Sequence, residues 1–350
     1  FSAVRSFLGR LVGDSSHAYP RMEDFDASIY PDHVWLAIFA RCDYATLKRL
    51  KLTCRSFYAL LADQHFWLEL CERDGRLLPP MPCRQFIAQL PEEEEEDDEQ
   101  TADMFFDYEM IWRKDPFRAN LVPALTADMS LKDIERNYGW KFSSAANGPV
   151  LESPPVSCEL RADIPVAIAT SFSWNRRMLT VNLVQEGVPE WVLDRLRPRI
   201  VVREWVAPRT DCASVYELHA QLLKADELLD SRAVLPRFKF VEKRYSQWTA
   251  GEWELVEVAF EEYPVGMCCV SLLSSGKDSQ FWAGNYGTKF ANTQVFVELP
   301  TEPKLYTDAD FPDGVKTYGD GSIPYIGLLG GSLRMPIGRH AGIRGRIHRL

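Results

Sequence analysis

Residues Ile29 to Cys71 constrain this chain more than any other stretch. They hold three or four short amphipathic helices in a row, with Pro31, Asp43 and Asp63 as helix-starting residues. Pro31 suits a first helical turn, where no backbone N–H is needed, and Val34, Trp35, Ile38 and Phe39 are spaced as one face of a short helix. Asp43 is placed to cap a second helix with Leu47, Leu50 and Cys54 facing inward. A third segment carries Phe57, Leu60 and Leu61. Asp63 opens a fourth, with Phe66, Trp67 and Leu70. A module this small keeps much of its apolar surface wet, so the pattern predicts either a small bundle packed on its own chain or a helical unit that wants a partner.

The rest of the chain differs in character. Between residues 92 and 99 every residue is acidic, and like charges packed so densely repel and stay solvated, which predicts a linker. Downstream, Tyr216 to Leu222 alternates strictly between apolar and polar residues, the period of a strand with one face buried. Ile200 to Trp205, Trp253 to Phe260, Val265 to Leu273 and Val295 to Leu299 are further strand candidates. Turn signals punctuate them at Pro208, Gly251, Pro264, Gly276-Lys277-Asp278 and Gly284-Asn285. Many short strands so punctuated point to an antiparallel sandwich.

Two groups of residues carry a resemblance to a known family. The ordered set Pro31-Asp32, Ile38-Phe39, Leu50, Cys54-Arg55 and Phe66-Trp67 resembles an F-box, with Tyr30 where a leucine is usual. Four later segments are similar, in order, to the F-box-associated domain of the family that includes the sugar-recognising F-box proteins. They are Thr170 to Trp174 with Val181-Asn182-Leu183; Ile200 to Trp205 with Arg209 to Cys212 and Tyr216-Glu217-Leu218; Trp253 to Phe260 with Tyr263 to Gly266; and Lys277 to Gly287 with Asn292-Thr293. The resemblance implies an α + β multidomain chain, a helical F-box followed by a ten-stranded, jelly-roll-like antiparallel β-sandwich. The expected division is an N-terminal segment at 1–27, the F-box at 28–75, a linker with the acidic run at 76–103, the sandwich at 104–299 and a turn-rich, basic tail at 300–350.

Function follows from the same resemblance. An F-box docks a Skp-type adaptor and through it a cullin–RING ubiquitin ligase, here through Pro31, Val34, Ile38, Phe39, Leu47, Leu50, Phe66 and Trp67. In glycan-binding members a loop with an aromatic pair and a following lysine grips the inner chitobiose of high-mannose N-glycans. Phe281, Trp282 and Ala283 stand at those positions, and Phe172 corresponds to a further contact. A sugar presents a patch of C–H bonds to a flat ring while polar groups read its hydroxyls; the competing expectation is that Trp282 is a packed loop residue. The expected role is a substrate receptor whose targets are proteins, N-glycosylated ones among them. The alternative is a structural subunit using the same two domains in a larger assembly.

Several classes are excluded or disfavoured. A net charge of −10 argues against nucleic acid as the main ligand. No run of eighteen apolar residues is present to span a bilayer. Cys42, Cys54, Cys71, Cys83, Cys158, Cys212, Cys268 and Cys269 form no C-x-x-C pair and no zinc spacing, and no N-x-[ST] acceptor occurs; both fit a reducing, cytoplasmic setting. No metal or cofactor is expected: Asp308, Asp310 and Asp313 have the flavour of a calcium loop, but Pro312 and the shifted Gly314 break its register. No G-x-S-x-G elbow or phosphate loop occurs, so a non-catalytic protein is expected. Phe1 to Val12, with Arg5 and Arg10, reads as a terminal helix or as the remnant of a targeting peptide.

Overall fold

In a computed structural model of the chain, residues 29–79, 107–225, 227 and 237–302 are described. The acidic run, the amphipathic start at 1–12, Cys83, the Asp308–Gly314 loop and the basic tail lie outside them. The chain divides into two compact units, with the boundary after Gly75.

The first unit contains α1 (Asp32–Phe39), α2 (Tyr44–Leu50), α3 (Arg55–Ala62) and α4 (Gln64–Arg73). Its helices start where the sequence has the chemistry to start them. The Asp43 carboxylate accepts the Thr46 N–H at 2.7 Å, and Asp63 accepts that of His65 at 2.9 Å. Two details differ from expectation. Pro31 stands at the cap position with ψ 151°, one residue before the helix, where its carbonyl accepts from Val34 at 2.9 Å. Cys54 does not face inward from α2 but caps α3, its sulfur 3.5 Å from the Phe57 nitrogen. The core is aromatic: Trp35 and Phe39 meet Phe57 edge-on at 4.8 and 4.9 Å. Trp67 is buried with its indole N–H donating to the Leu61 carbonyl at 2.8 Å, as a buried indole must.

Among its described residues the second unit contains α5 (Tyr108–Lys114), α6 (Leu131–Tyr138) and ten strands. One sheet has the order β1 (Lys141–Ser144), β4 (Asn175–Asn182), β9 (Cys269–Asp278), β6 (Ser214–Leu223) and β7 (Phe238–Tyr245). The other has β2 (Val150–Glu152), β3 (Ala167–Ala169), β10 (Lys289–Glu298), β5 (Arg199–Ala207) and β8 (Glu254–Phe260). All neighbouring pairs are antiparallel, giving the expected sandwich.

Three strand expectations are corrected. β6 alternates as predicted but is buried on both faces, Glu217 alone being half-buried. It lies between β9 and β7, and its outer face is covered in part by Phe240, whose ring lies 4.6 Å from His219. The Val265–Leu273 candidate starts later and runs further, so Gly276-Lys277-Asp278 ends β9 instead of forming a turn. Gly276 is there because the facing sheet comes close: a Cβ would sit 2.8 Å from Phe290 Cζ. β10 begins six residues before the predicted Val295, because a bulge between Ala291 and Gln294, with Asn292 at φ 43°, interrupts the alternation.

A polar cluster crosses the sandwich interior. Arg177 on β4 donates through Nη2 to Glu204 Oε1 on β5 and to Thr293 Oγ1 on β10, both at 2.6 Å. Glu204 also accepts from Tyr216 at 2.8 Å and Ser274 at 3.0 Å. The Arg177 guanidinium lies over the rings of Trp140 and Phe290 at 4.5 and 5.1 Å. Burial, with Glu204 beside it, pushes the Tyr216 phenol well above its ordinary value. Such a network ties both sheets at one register.

Candidate functional site

Strand direction gathers five loops at one end of the sandwich: 145–149, 170–174, 208–213, 246–253 and 279–288. The last carries Phe281 and Trp282, and its shape follows from its sequence. Asp278 ends β9 and its Oδ1 accepts the backbone N–H groups of Gln280 at 2.9 Å and Phe281 at 2.6 Å. This turn reverses the chain at once and leaves Phe281 at φ 59°, a conformation rare for a bulky residue. Gly284, at φ 120°, lets the loop fold back. Asn285 then donates to the Gly148 carbonyl at 3.0 Å. Gly287 passes so close to β3–β4 that a Cβ would lie 2.3 Å from Thr170 Oγ1.

The loop is therefore held at both ends while its tip faces solvent. Phe281 is 74% exposed and Trp282 37%. Trp282 meets Tyr286 edge-on at 5.4 Å, and the Arg209 guanidinium lies over the other ring of that pair, 4.4 Å from the Tyr286 centroid. Arg209 is itself fixed by a two-pronged pair with Asp211 at 2.9 and 3.0 Å. That contact holds the Asp211 carboxyl below its usual range. Trp282 is thus no core residue: it is part-exposed, with Tyr286 edge-on against it. Phe172, on the neighbouring loop, is half-buried. Its loop is clamped by the Asn147 carbonyl, which accepts from Ser171, Ser173 and Asn175 at 2.7, 3.2 and 2.7 Å. The two loops touch through the Asp278 N–H, which donates to the Ser171 carbonyl at 2.9 Å. A rigid aromatic surface of this kind loses little freedom on binding.

Sequence reasoning singled out Phe281, Trp282 and Phe172 but not Tyr286, Arg209 or Trp248. Tyr286 follows Gly284-Asn285 and its aromatic character was visible; that it supports Trp282 depends on the loop's closure, which no local pattern encodes.

The adaptor set divides differently. Phe39, Leu47, Leu50, Phe66 and Trp67 are buried inside the helical unit itself, Phe66 at 4% and the others at 1% exposure. Val34 and Ile38 are half-buried and Pro31 is exposed. Ile29, Tyr30, Leu52 and Tyr58 are large apolar residues left in solvent, at 41–73% exposure. Five of the eight expected residues build the bundle, and three reach its surface.

Comparison with known proteins covers both units of the chain. Residues 112–297 match the F-box associated region, and residues 31–73 match an F-box-like family. The chain is 33% identical to F-box only protein 27 of Macaca fascicularis over 85% of its own length and 98% of that relative. It is 28% identical to F-box only protein 6 of Homo sapiens, over 81% of this chain and 87% of the other. With the Bos taurus protein of that name the identity is 32%, over 55% and 69%.

Proposed function

From its belonging to the F-box only proteins that carry an F-box associated region, we propose that this chain is the substrate-recognition subunit of a Skp–cullin–F-box ubiquitin ligase. The helical unit holds a Skp-type adaptor and the sandwich holds the target protein. On this reading Pro31, Val34 and Ile38, with Ile29 and Tyr30 beside them, form the adaptor contact. Phe39, Leu47, Leu50, Phe66 and Trp67 act by keeping that surface in shape. Apolar anchors of this sort dominate interface energy.

The target is a glycoprotein bearing a high-mannose N-glycan, with Phe281 and Trp282 stacking on its inner sugars and Phe172 at the margin. The observation that carries this reading is the exposed Phe281–Trp282 pair on a pinned loop, because an accessible aromatic ring held in place is what a pyranose face needs. Ala283 is exposed beside it and brings no charged donor, so stacking carries the contact. The protein works without catalysis of its own, in the reducing cytoplasm. All seven described cysteines are free.

Co-purification of the full chain with a Skp-type adaptor, together with titration by chitobiose, tests both halves. Retention of the adaptor with sugar binding in the micromolar to millimolar range is the expected result. A chain that retains the adaptor and no sugar keeps the receptor role and loses the glycan. A chain that retains neither points to the structural-subunit alternative.

A further inference from the structure

The same end of the sandwich carries a second exposed aromatic. Trp248, in the loop between β7 and β8, is 76% exposed, and its backbone sits at φ 66°. Like Phe281, it is a bulky residue held in the left-handed region, a costly arrangement that persists only where surrounding structure enforces it, and one that clusters at binding sites. The enforcement is visible. The Trp248 N–H donates to the Thr210 carbonyl at 2.9 Å, and the preceding Gln247 donates through Nε2 to the Asp211 carbonyl at 2.9 Å.

These bonds join Trp248 to the loop that supports Trp282. Arg209 lies over Tyr286, against which Trp282 rests, and the next residue, Thr210, holds Trp248. One short loop therefore backs both aromatic groups. Thr210 also lines an open groove of about 620 Å³ together with Ser157, Glu159 and Glu252. Glu159 and Glu252 are exposed, and Cys158, Ala250 and Trp253 complete the lining, so carboxylates and apolar groups stand side by side. An apolar peptide laid here would strip water from two exposed carboxylates, at a cost that the one bond Glu159 accepts from the Trp253 N–H at 3.4 Å does not offset. A sugar would not: its hydroxyls donate to carboxylates while its C–H face lies on an indole.

We propose that Trp248 forms a second sugar subsite, continuous with Phe281–Trp282, that receives the residues of an oligosaccharide beyond its chitobiose end, with Glu159 and Glu252 accepting hydroxyl hydrogen bonds. The inference rests on the glycan reading of the loop 279–288.

The test titrates the full chain with two probes, free chitobiose and a high-mannose oligosaccharide that ends in the same chitobiose. Trp248→Ala is expected to weaken the longer probe about tenfold, the size of one lost stacking contact, and to leave chitobiose unchanged. Trp248→Phe should recover part of the loss, and thermal melts of both variants should match the parent because the ring is exposed. Equal affinities of parent and Trp248→Ala for the long probe overturn the second subsite and leave the first standing. Equal weakening of both probes also overturns it, since the residue would then act on the chitobiose site. If the parent binds neither sugar, the glycan reading and the subsite fall together.

Discussion

Trp282 and Trp253 belong to the same end of the same sandwich and serve opposite ends. Trp253 is 7% exposed and donates its indole N–H to the Glu159 carbonyl at 2.9 Å; Trp282 is five times more exposed. Trp282→Ala is therefore expected to abolish chitobiose binding with a small change in melting temperature. Trp253→Ala should cost on the order of 3–5 kcal/mol of stability; denaturant titration of the two variants separates them. The buried cluster gives a second prediction. Arg177→Met strands the Glu204 carboxylate inside the sandwich, a loss of roughly 3–5 kcal/mol, whereas Arg177→Met combined with Glu204→Gln should recover part of it in the same urea experiment. Single residues were only partly legible beforehand. Trp282 could be placed at the tip of a loop from Gly284-Asn285, but its exposure depends on Asp278, Asn285 and Gly287 closing that loop. The Arg177–Glu204 pair was invisible, because each residue sits in an ordinary strand pattern and they meet only when the sheets stack.

Elements were easier to foresee than their limits. The helices of the first unit announce themselves through Asp43 and Asp63, whose side chains do cap them. The strands announce themselves by period, yet β6 shows how a period misleads: His219 and Gln221 read as solvent-facing and are buried, with Phe240 and Phe238 of the neighbouring strand beside the His219 ring. Gly276 read as a turn and is a strand residue that lets Phe290 approach. Gly276→Ala should accordingly destabilise the sandwich by roughly 1–3 kcal/mol through overpacking, a loss that Phe290→Leu should lessen in a double-mutant cycle. The β5–β8 pairing yields a pH dependence. Arg203, and then Arg199, hold the Glu257 carboxyl below its ordinary value. Its folded pKa is thus lower than its unfolded one, so its contribution is whole above the unfolded value and is lost as pH falls through the folded one. Arg203→Gln should move the acid limb of the melting profile to higher pH. The pair is part-exposed, so the shift should amount to less than about 1 kcal/mol.

At the scale of the whole molecule, the chain divides into two compact units: the core of one is an aromatic helical bundle, that of the other a β-sandwich. A receptor needs two independent grips on one chain, and this division predicts that they can be broken separately. Val34→Asp with Ile38→Asp changes half-buried residues of the first unit and spares Phe39, whose loss would unfold the bundle and blur the result. That double variant should lose the Skp-type adaptor in co-purification while its chitobiose titration matches the parent. Trp282→Ala should do the reverse. In a reconstituted ligase each variant should fail to ubiquitinate a high-mannose glycoprotein, and mixing the two should not restore activity, because neither chain carries both grips. The 92–99 acidic run supplies reach alone on this view, so a Gly/Ser exchange of equal length should leave both binding assays unchanged. Adaptor retention by the Asp double variant would move the docking surface away from α1, and activity in the mixture would show that two copies of the chain act together.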